Sequence, residues 1–256
     1  MQGRSDMDIV SIIICNWNYG RYLHECLDSV VNQTYRPIQI VFVDDGSTDN
    51  SIEIFKSKLE TFEKNDIEHE SFYYDNNGGR IRSLNRAIEI VKGEYSAILD
   101  SDDMLHDKFI ETSKDALVKE RTIDTTMGFV YTNLDIIDKY GKVISHGLSD
   151  EFDTEKVLLY SYIPDCGLTY THALKECYPF DETVMVNTKH HKWQKIVRAG
   201  WKGKLLHKRL YKYRIHDCNI SGINRRITSA DRTKLIEKWN PHKESWNRDT
   251  ASVHNS

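Results

Sequence analysis

The chain opens on an apolar run. Residues 9–14 (IVSIII) are almost all β-branched, the pattern of a strand buried on both faces. Over residues 21–32 the period changes. Tyr22, Leu23, Cys26, Leu27, Val30 and Val31 recur at helical spacing and predict an amphipathic helix. A second apolar run, residues 38–43, ends in Asp44-Asp45-Gly46-Ser47. Thr48 and Asp49 then open a helix carrying Ile52, Ile54, Phe55 and Leu59, since Ser, Thr and Asp are favoured caps. Residues 69–74 read as a weaker strand before the turn DNNGG at 75–79. Leu84, Ala87, Ile88 and Val91 make a third helical face, with Gly93 as its predicted C-cap. A short strand over 95–99 runs into Asp100-Ser101-Asp102-Asp103. A helix over 109–118 and a strand over 129–134 complete the series.

This alternation predicts an α/β fold with a mostly parallel central sheet flanked by helices. Ligands of such sheets bind beyond the carboxyl ends of the strands. Asn16-Trp17-Asn18, Asp44-Asp45 and the cluster at Asp100 all follow strand ends, so they should converge on one edge. Beyond about residue 140 the pattern loosens. It predicts a helix over 154–162, a strand over 167–170, a helix over 191–199 stopping at Gly200, a strand over 205–213 and a charged helix over 225–239. The expected organisation is a polar leader over 1–7, vector-derived if translation naturally starts at Met7, and a domain over 8–225. That domain divides into a nucleotide-binding half over 8–110 and a smaller acceptor half over 111–225. A C-terminal helix and polar tail occupy 226–256.

Composition narrows the class. Of 256 residues, 39% are hydrophobic and 29% charged, enough to bury a real core. The net charge of −4 gives no global basic field, so nucleic acid is not an expected partner. The five cysteines, Cys15, Cys26, Cys166, Cys177 and Cys218, are odd in number and widely spaced. They argue against a disulfide framework or zinc knuckle and for a reducing, cytoplasmic setting. No apolar run approaches the roughly 20 residues of a membrane span, and the leader lacks a signal-peptide pattern. Any membrane contact is then peripheral, at the inner face.

The acidic cluster is the sharpest local feature. Asp100, Asp102 and Asp103 repel one another unless a cation or donor neutralises them. Carboxylates in this pattern suit Mg²⁺ or Mn²⁺ bridged to a diphosphate, although a solvated acidic turn uses the same residues. The VDDGSTD segment at 43–49 has two uses as well, an Asx turn with a helix cap or a carboxylate that accepts from a nucleobase N–H.

The segments IIICNWN (12–18), LDSVVNQTY (27–35), VDDGSTD (43–49), NNGG (76–79), KGEY (92–95) and LDSDD (99–103) occur in one order. That series resembles the family 2 glycosyltransferases of the GT-A fold over residues 8–110. Phe180-Asp181-Glu182, Trp193, Gly200 and LYKYRIHDCNIS (210–221) extend the likeness more loosely to about residue 222. The resemblance implies sugar transfer, inverting in outcome by family habit, from a nucleotide-sugar, by preference a UDP-sugar, to an acceptor hydroxyl of a surface glycan or glycolipid. It implies a base and ribose pocket of Asn16, Trp17 and Asn18, with Asp44, or alternatively Asp45, reading the base. Asp100 and Asp102 would meet the ribose and the metal. The resemblance implies metal ligands among Asp102, Asp103 and His216, the last from the YRxH segment. After the Gly pair many relatives carry Arg before Asn. Here Leu84 precedes Asn85, and Arg80 or Arg82 is the diphosphate candidate.

One departure stands out. The family places Glu-Asp, two residues, an apolar residue and then Trp, and one of those carboxylates is the general base. Here Thr188 and Lys189 hold the acidic pair's places. Three explanations follow. His190 or His191 replaces the base; a carboxylate elsewhere, such as Asp165, Asp181 or Glu182, does so; or the chain is a catalytically silent nucleotide-sugar-binding module of a glycan assembly complex. A sugar nucleotidyltransferase fits poorly, because Asn16-Trp17-Asn18-Tyr19-Gly20 is not the Gly-rich loop it needs.

Overall fold

The computed structural model describes residues 9–185 and 187–217. The first half runs β1 (Val10–Asn16), α1 (Gly20–Val31), β2 (Ile38–Asp44), α2 (Ser51–Ser57), α3 (Leu59–Lys64), β3 (Ile67–Tyr73), α4 (Arg80–Ile90) and β4 (Tyr95–Ile98). The second runs β5 (Met104–Leu105), α5 (Phe109–Ile123), β6 (Met127–Ile137), β7 (Val143–Gly147), α6 (Thr154–Leu159), β8 (Leu168–Tyr170), α7 (Thr171–Glu176), α8 (Thr188–Arg198) and β9 (Lys202–Arg214).

All nine strands join one sheet in the order β3-β2-β1-β4-β8-β6-β9-β5, with β7 paired to β6. The long ladders, β3–β2–β1–β4 and β6–β9, are parallel, and the short ones are antiparallel. The alternation of β1 divides the core. Ile12 and Ile14 face a cluster with Leu23, Leu27, Phe55 and Phe109 under α1, α2 and α5. Ile13 faces the opposite cluster, with Leu84, Ile88, Trp193 and Ile196 under α4 and α8. Burial on both faces is why β1 and β2 read as continuous apolar runs.

The expected parallel α/β architecture is present, with differences at the joints. The helix predicted after Thr48 begins at Ser51 and breaks into α2 and α3 at Lys58. Asp49 still serves its start, because its Oδ1 accepts from the Ser51 amide at 3.0 Å. Gly93 is not the C-cap of α4, which ends in extended backbone at Val91. Its role is close approach, since a Cβ there would lie 2.5 Å from the Ile9 carbonyl oxygen. Gly200 does terminate α8 in the left-handed region, at φ 94°. β5, β7 and α7 were not anticipated. The helix predicted over 225–239 and the tail lie outside the described residues.

Candidate active site

The carboxyl ends of β1, β2 and β4 lie side by side and carry Asn16, Asp44 and Asp100. At the end of β1, Asn16 is buried and donates from Nδ2 to Asp44 Oδ2 at 2.8 Å and Ser47 Oγ at 3.1 Å. Trp17 stands out, 44% exposed, with its ring available to stack on a ligand. Asn18 adopts φ 57°, a conformation Asn tolerates better than most residues. Its Oδ1 accepts from the amides of Thr48 at 2.8 Å and Asp49 at 3.3 Å, stapling the two loops together.

Asp44 is fully buried. Its oxygens take the Ser47 amide at 2.8 Å, the Ser47 hydroxyl at 2.7 Å and the Asn16 amide. These bonds turn both oxygens of Asp44 toward its own loop and Asn16. Asp45 accepts from the amides of Gly78 and Gly79, the latter at 2.7 Å, and from Arg82 Nη2 at 2.6 Å. Arg82 lies over the Tyr74 ring at 3.8 Å, so Asp45 and Arg82 together hold the NNGG turn. Gly46 makes this possible. It has φ 75°, and any Cβ would lie 2.5 Å from the Asn76 backbone. Asn85 is likewise engaged within the protein. Its amide donates to the Phe180 carbonyl at 2.9 Å and accepts from the Phe180 amide at 2.8 Å, tying α4 to the loop before α8.

A buried charge network underlies Asp100. Lys189 Nζ lies 2.5 Å from Oδ2 and Arg80 Nη2 lies 3.0 Å from Oδ1. Arg80 also pairs with Asp165, whose other oxygen takes Lys192 Nζ at 2.7 Å. Burial pushes the Asp100 carboxyl up, but Lys189 and Arg80 outweigh it and hold it well below the usual range. Asp165 behaves alike: burial raises it, and Arg80 and Lys192 bring it below its ordinary value. A carboxylate sealed at 2% exposure with two cations is poorly placed to take a proton.

Asp100, Asp102 and Asp103 bring carboxylate oxygens within 4.8 Å of one another, the one such potential metal-holding group among the described residues. Their commitments differ. Asp103 takes the Arg214 amide at 2.7 Å and the Tyr211 hydroxyl. Burial, then Asp102 and Asp100, push its carboxyl well above the usual range. Asp102 instead meets His216, with Nε2 3.0 Å from Oδ2. The His216 ring is flanked by Tyr22 at 4.8 Å and Tyr19 at 5.5 Å between centroids. The fully buried Arg214 grips the Asp102 carbonyl through Nε at 2.7 Å and pairs with Glu25. One carboxylate and one imidazole, held together by rigid neighbours, fit a divalent cation. Asp103 fits that role less well, because protein donors already occupy both its oxygens.

The histidine candidates for the base are not with this group. His190 is 2% exposed and donates from Nε2 to the Val157 carbonyl at 2.7 Å, locking α8 to α6. His191 packs edge-on to Phe180 at 6.1 Å. The residues of α8 that turn toward Asp100 and Asp165 are Lys189 and Lys192. Asp181 forms its own turn, accepting from the Thr183 amide at 2.9 Å. The parts not anticipated are Lys192, Tyr211, Arg214 and Glu25; Lys192 stands where the family pattern has an apolar residue.

Comparison with known proteins identifies the family. Residues 11–176 match the family model described as glycosyl transferase family 2. The glycosyltransferase GlyG of Streptococcus pneumoniae serotype 4 is 38% identical over 124 residues, 48% of this chain and 40% of its own length. An uncharacterized glycosyltransferase of Rickettsia typhi is 32% identical over 221 residues, 83% of this chain and 66% of its own. The chain thus spans less than half of GlyG. Among solved structures, S. aureus TarS 1–349 superposes with TM-score 0.64 at 19% identity, over 80% of this chain and 60% of that one. The mannosyltransferase PcManGT from Pyrobaculum calidifontis, solved with GDP-Man and Mn2+, superposes with TM-score 0.63 at 18% identity, over 82% and 58%. With the family model covering well over half its length, this chain belongs to glycosyl transferase family 2.

Proposed function

We propose that this chain binds a nucleoside diphosphate sugar, a UDP-sugar first among candidates, at the carboxyl ends of β1, β2 and β4. It transfers the sugar to an acceptor with inversion at the anomeric carbon. The observation that carries this reading is the Asp102–His216 pair. Segments 114 residues apart in sequence place a carboxylate and an imidazole 3.0 Å apart, the imidazole lying 5.5 Å from the ring of Tyr19, which follows the exposed Trp17 in the same loop. UDP and UDP-GlcNAc complexes of TarS support the donor class, and the Mn2+ complex of PcManGT supports a metal. Mn²⁺ or Mg²⁺, held by Asp102 and His216, would supply Lewis-acid neutralisation of the leaving diphosphate. The chain's own groups do the rest. Trp17 offers a face to the base, Arg214 fixes the Asp102 loop, and Tyr19 and Tyr22 fix the His216 ring. A surface glycan or glycolipid as acceptor belongs to the same proposal.

The test is calorimetric titration with UDP, GDP and dTDP in Mn²⁺, Mg²⁺ or EDTA, on the wild type and Asp102→Ala. Metal-dependent binding that Asp102→Ala abolishes supports the reading. Equal binding by both proteins counts against it. A second reading, a silent nucleotide-sugar-binding module, is favoured by Lys189 standing where the base is expected. Sugar transfer to any acceptor excludes it.

A further inference from the structure

The acceptor side of this site is cationic where a base is expected. We propose, resting on the transferase reading above, that the attacking atom is an oxygen of a phosphate monoester, held by Lys189 and Arg80, and not a sugar hydroxyl.

A neutral hydroxyl that attacks carbon must lose its proton to a base. The groups gathered around Asp100 supply none. Lys189 and Arg80 are donors only. Thr188, whose hydroxyl is 3.5 Å from Arg80 Nη1, is not basic. Asp165 is sealed beneath them with Lys192, and Asp100 accepts from Lys189 at 2.5 Å and from Arg80 at 3.0 Å.

The charges point the same way. Three cations, Arg80, Lys189 and Lys192, face two carboxylates, Asp100 and Asp165. The neighbouring acids are otherwise engaged, Asp102 by His216 and Asp103 by Tyr211 and Arg214. Exposure decides which charges a ligand meets. The Lys192 and Asp165 side chains are 2% and 1% exposed, whereas those of Lys189 and Arg80 are 26% and 22% exposed. The accessible surface of the network is therefore an ammonium and a guanidinium on either side of the Asp100 carboxylate, itself 18% exposed, and the two cations outnumber it and offer donors suited to phosphate oxygens.

A phosphate monoester is mostly dianionic at neutral pH, its second pKa being about 6. It brings an ionised nucleophile and needs no base. One of its oxygens forms the bond to the anomeric carbon. The bond from that carbon to the donor's β-phosphate oxygen breaks, and its electron pair leaves with the nucleoside diphosphate. The acceptor becomes a phosphodiester with one charge fewer, the nucleotide gains that charge, and no proton moves.

The experiment uses matched acceptors on the full chain with donor and Mn²⁺ or Mg²⁺: a sugar phosphate against the same sugar, and a prenyl phosphate against the same prenol. Mass analysis reads the product. We expect transfer to a phosphorylated member at least 100-fold faster than to its dephosphorylated partner. The successful pair tells a soluble from a lipid-borne phosphate. With UDP bound, calorimetry should show phosphate monoester binding weakened at least tenfold by Lys189→Gln and restored by Lys189→Arg, the UDP titration reporting an intact donor site in each. Preferred transfer to the hydroxyl partner overturns the proposal. So does a UDP-loaded protein that binds no phosphate monoester, or a Lys189→Gln variant that binds it unchanged. Failure to bind any nucleotide overturns the transferase reading itself, and is separable because it appears before any acceptor is added.

Discussion

Lys189 places its ammonium 2.5 Å from Oδ2 of Asp100, joining the first turn of α8 to the end of β4. The two residues come from opposite halves of the chain, and each fixes the other's charge. Burial lowers the affinity of Lys189 for its proton, but Asp100, then Asp165 and Asp103, more than reverse this and hold it above the usual lysine range. The lysine side chain is a quarter exposed, so solvent screens part of the attraction. Lys189→Met should cost about 1 kcal/mol or less of folding stability. Denaturant unfolding of the purified variant checks this, and a loss of several kcal/mol would place Lys189 in the structural core instead.

Asp165 should behave very differently. Its side chain is 1% exposed and is the shared partner of Arg80 and Lys192. Removing its charge strands the buried Lys192 and leaves the partly exposed Arg80 with Asp100 alone. Asp165→Asn should destabilise the fold by about 3–5 kcal/mol, as expected for breaking a buried pair from one side. The double change Asp165→Asn with Lys192→Met should recover part of that loss, which a double-mutant cycle measures.

His190 predicts a pH response. Burial lowers its pKa, only partly offset by its hydrogen bond to the Val157 carbonyl. In the unfolded chain it titrates near about 6.5. Above that pH it is neutral in both states and its contribution is complete. Below it the unfolded state takes the proton first, so stability falls as the solution is acidified toward the folded-state pKa. The loss is at most about 1.4 kcal/mol per pH unit. Comparing unfolding midpoints at pH 7.5 and 5.5, wild type should lose more stability than His190→Gln. Equal losses would mean that other groups set the acid limb.

Gly46 holds the donor loop against the NNGG turn at φ 75°, with the Asn76 backbone 2.5 Å from where a Cβ would stand. Gly46→Ala adds overpacking against backbone, which cannot swing aside, at a cost of about 1–3 kcal/mol. It should also weaken nucleotide binding, because Asp45 loses its seat on Gly78 and Gly79. Thermal unfolding and UDP titration of one sample read both effects; full stability would mean that the turn relaxes freely.

Nucleotide and metal should stabilise the protein jointly. If Asp102 and His216 hold the cation, UDP with Mn²⁺ raises the melting temperature more than either alone. EDTA removes the increment, and His216→Ala weakens the joint binding at least tenfold, about 1.4 kcal/mol. A joint shift that survives in His216→Ala would move the metal onto Asp100 and Asp103.

Much of this was legible in the chain. β1, β2 and β4 announce themselves because a strand covered on both faces leaves a mostly apolar run, broken inside only by Ser11, Gln39 and Ser96. Their polar termini follow directly, so Asn16, Asp44 and Asp100 could be placed on one edge before any coordinates. Less legible were elements too short to show a period, such as the two residues of β5, and the exposed edge strand β7. The charge network was hidden for another reason. Arg80, Asp165 and Lys192 lie 85 and 27 residues apart in sequence, and no local pattern connects them. The lysines at 189 and 192, where relatives carry an acid and an apolar residue, were the only outward sign. The partners that Asp44, Asn85 and His190 take were not legible, because sequence supplies residue type without direction. Each proved to be a polar group satisfied inside the protein.

The seating of His216 between two tyrosines makes it an intrinsic magnetic probe. Its ring is 4.8 Å from that of Tyr22 at an interplanar angle of 31°, so aromatic circulation should displace its carbon-bound protons upfield of a free imidazole. Those resonances would stand apart from the other histidine signals without any label. Diamagnetic Mg²⁺ would move them, and paramagnetic Mn²⁺ would broaden them before the rest of the spectrum. Occupancy at Asp102 could then be followed ion by ion during a titration, with no sugar and no acceptor in the tube.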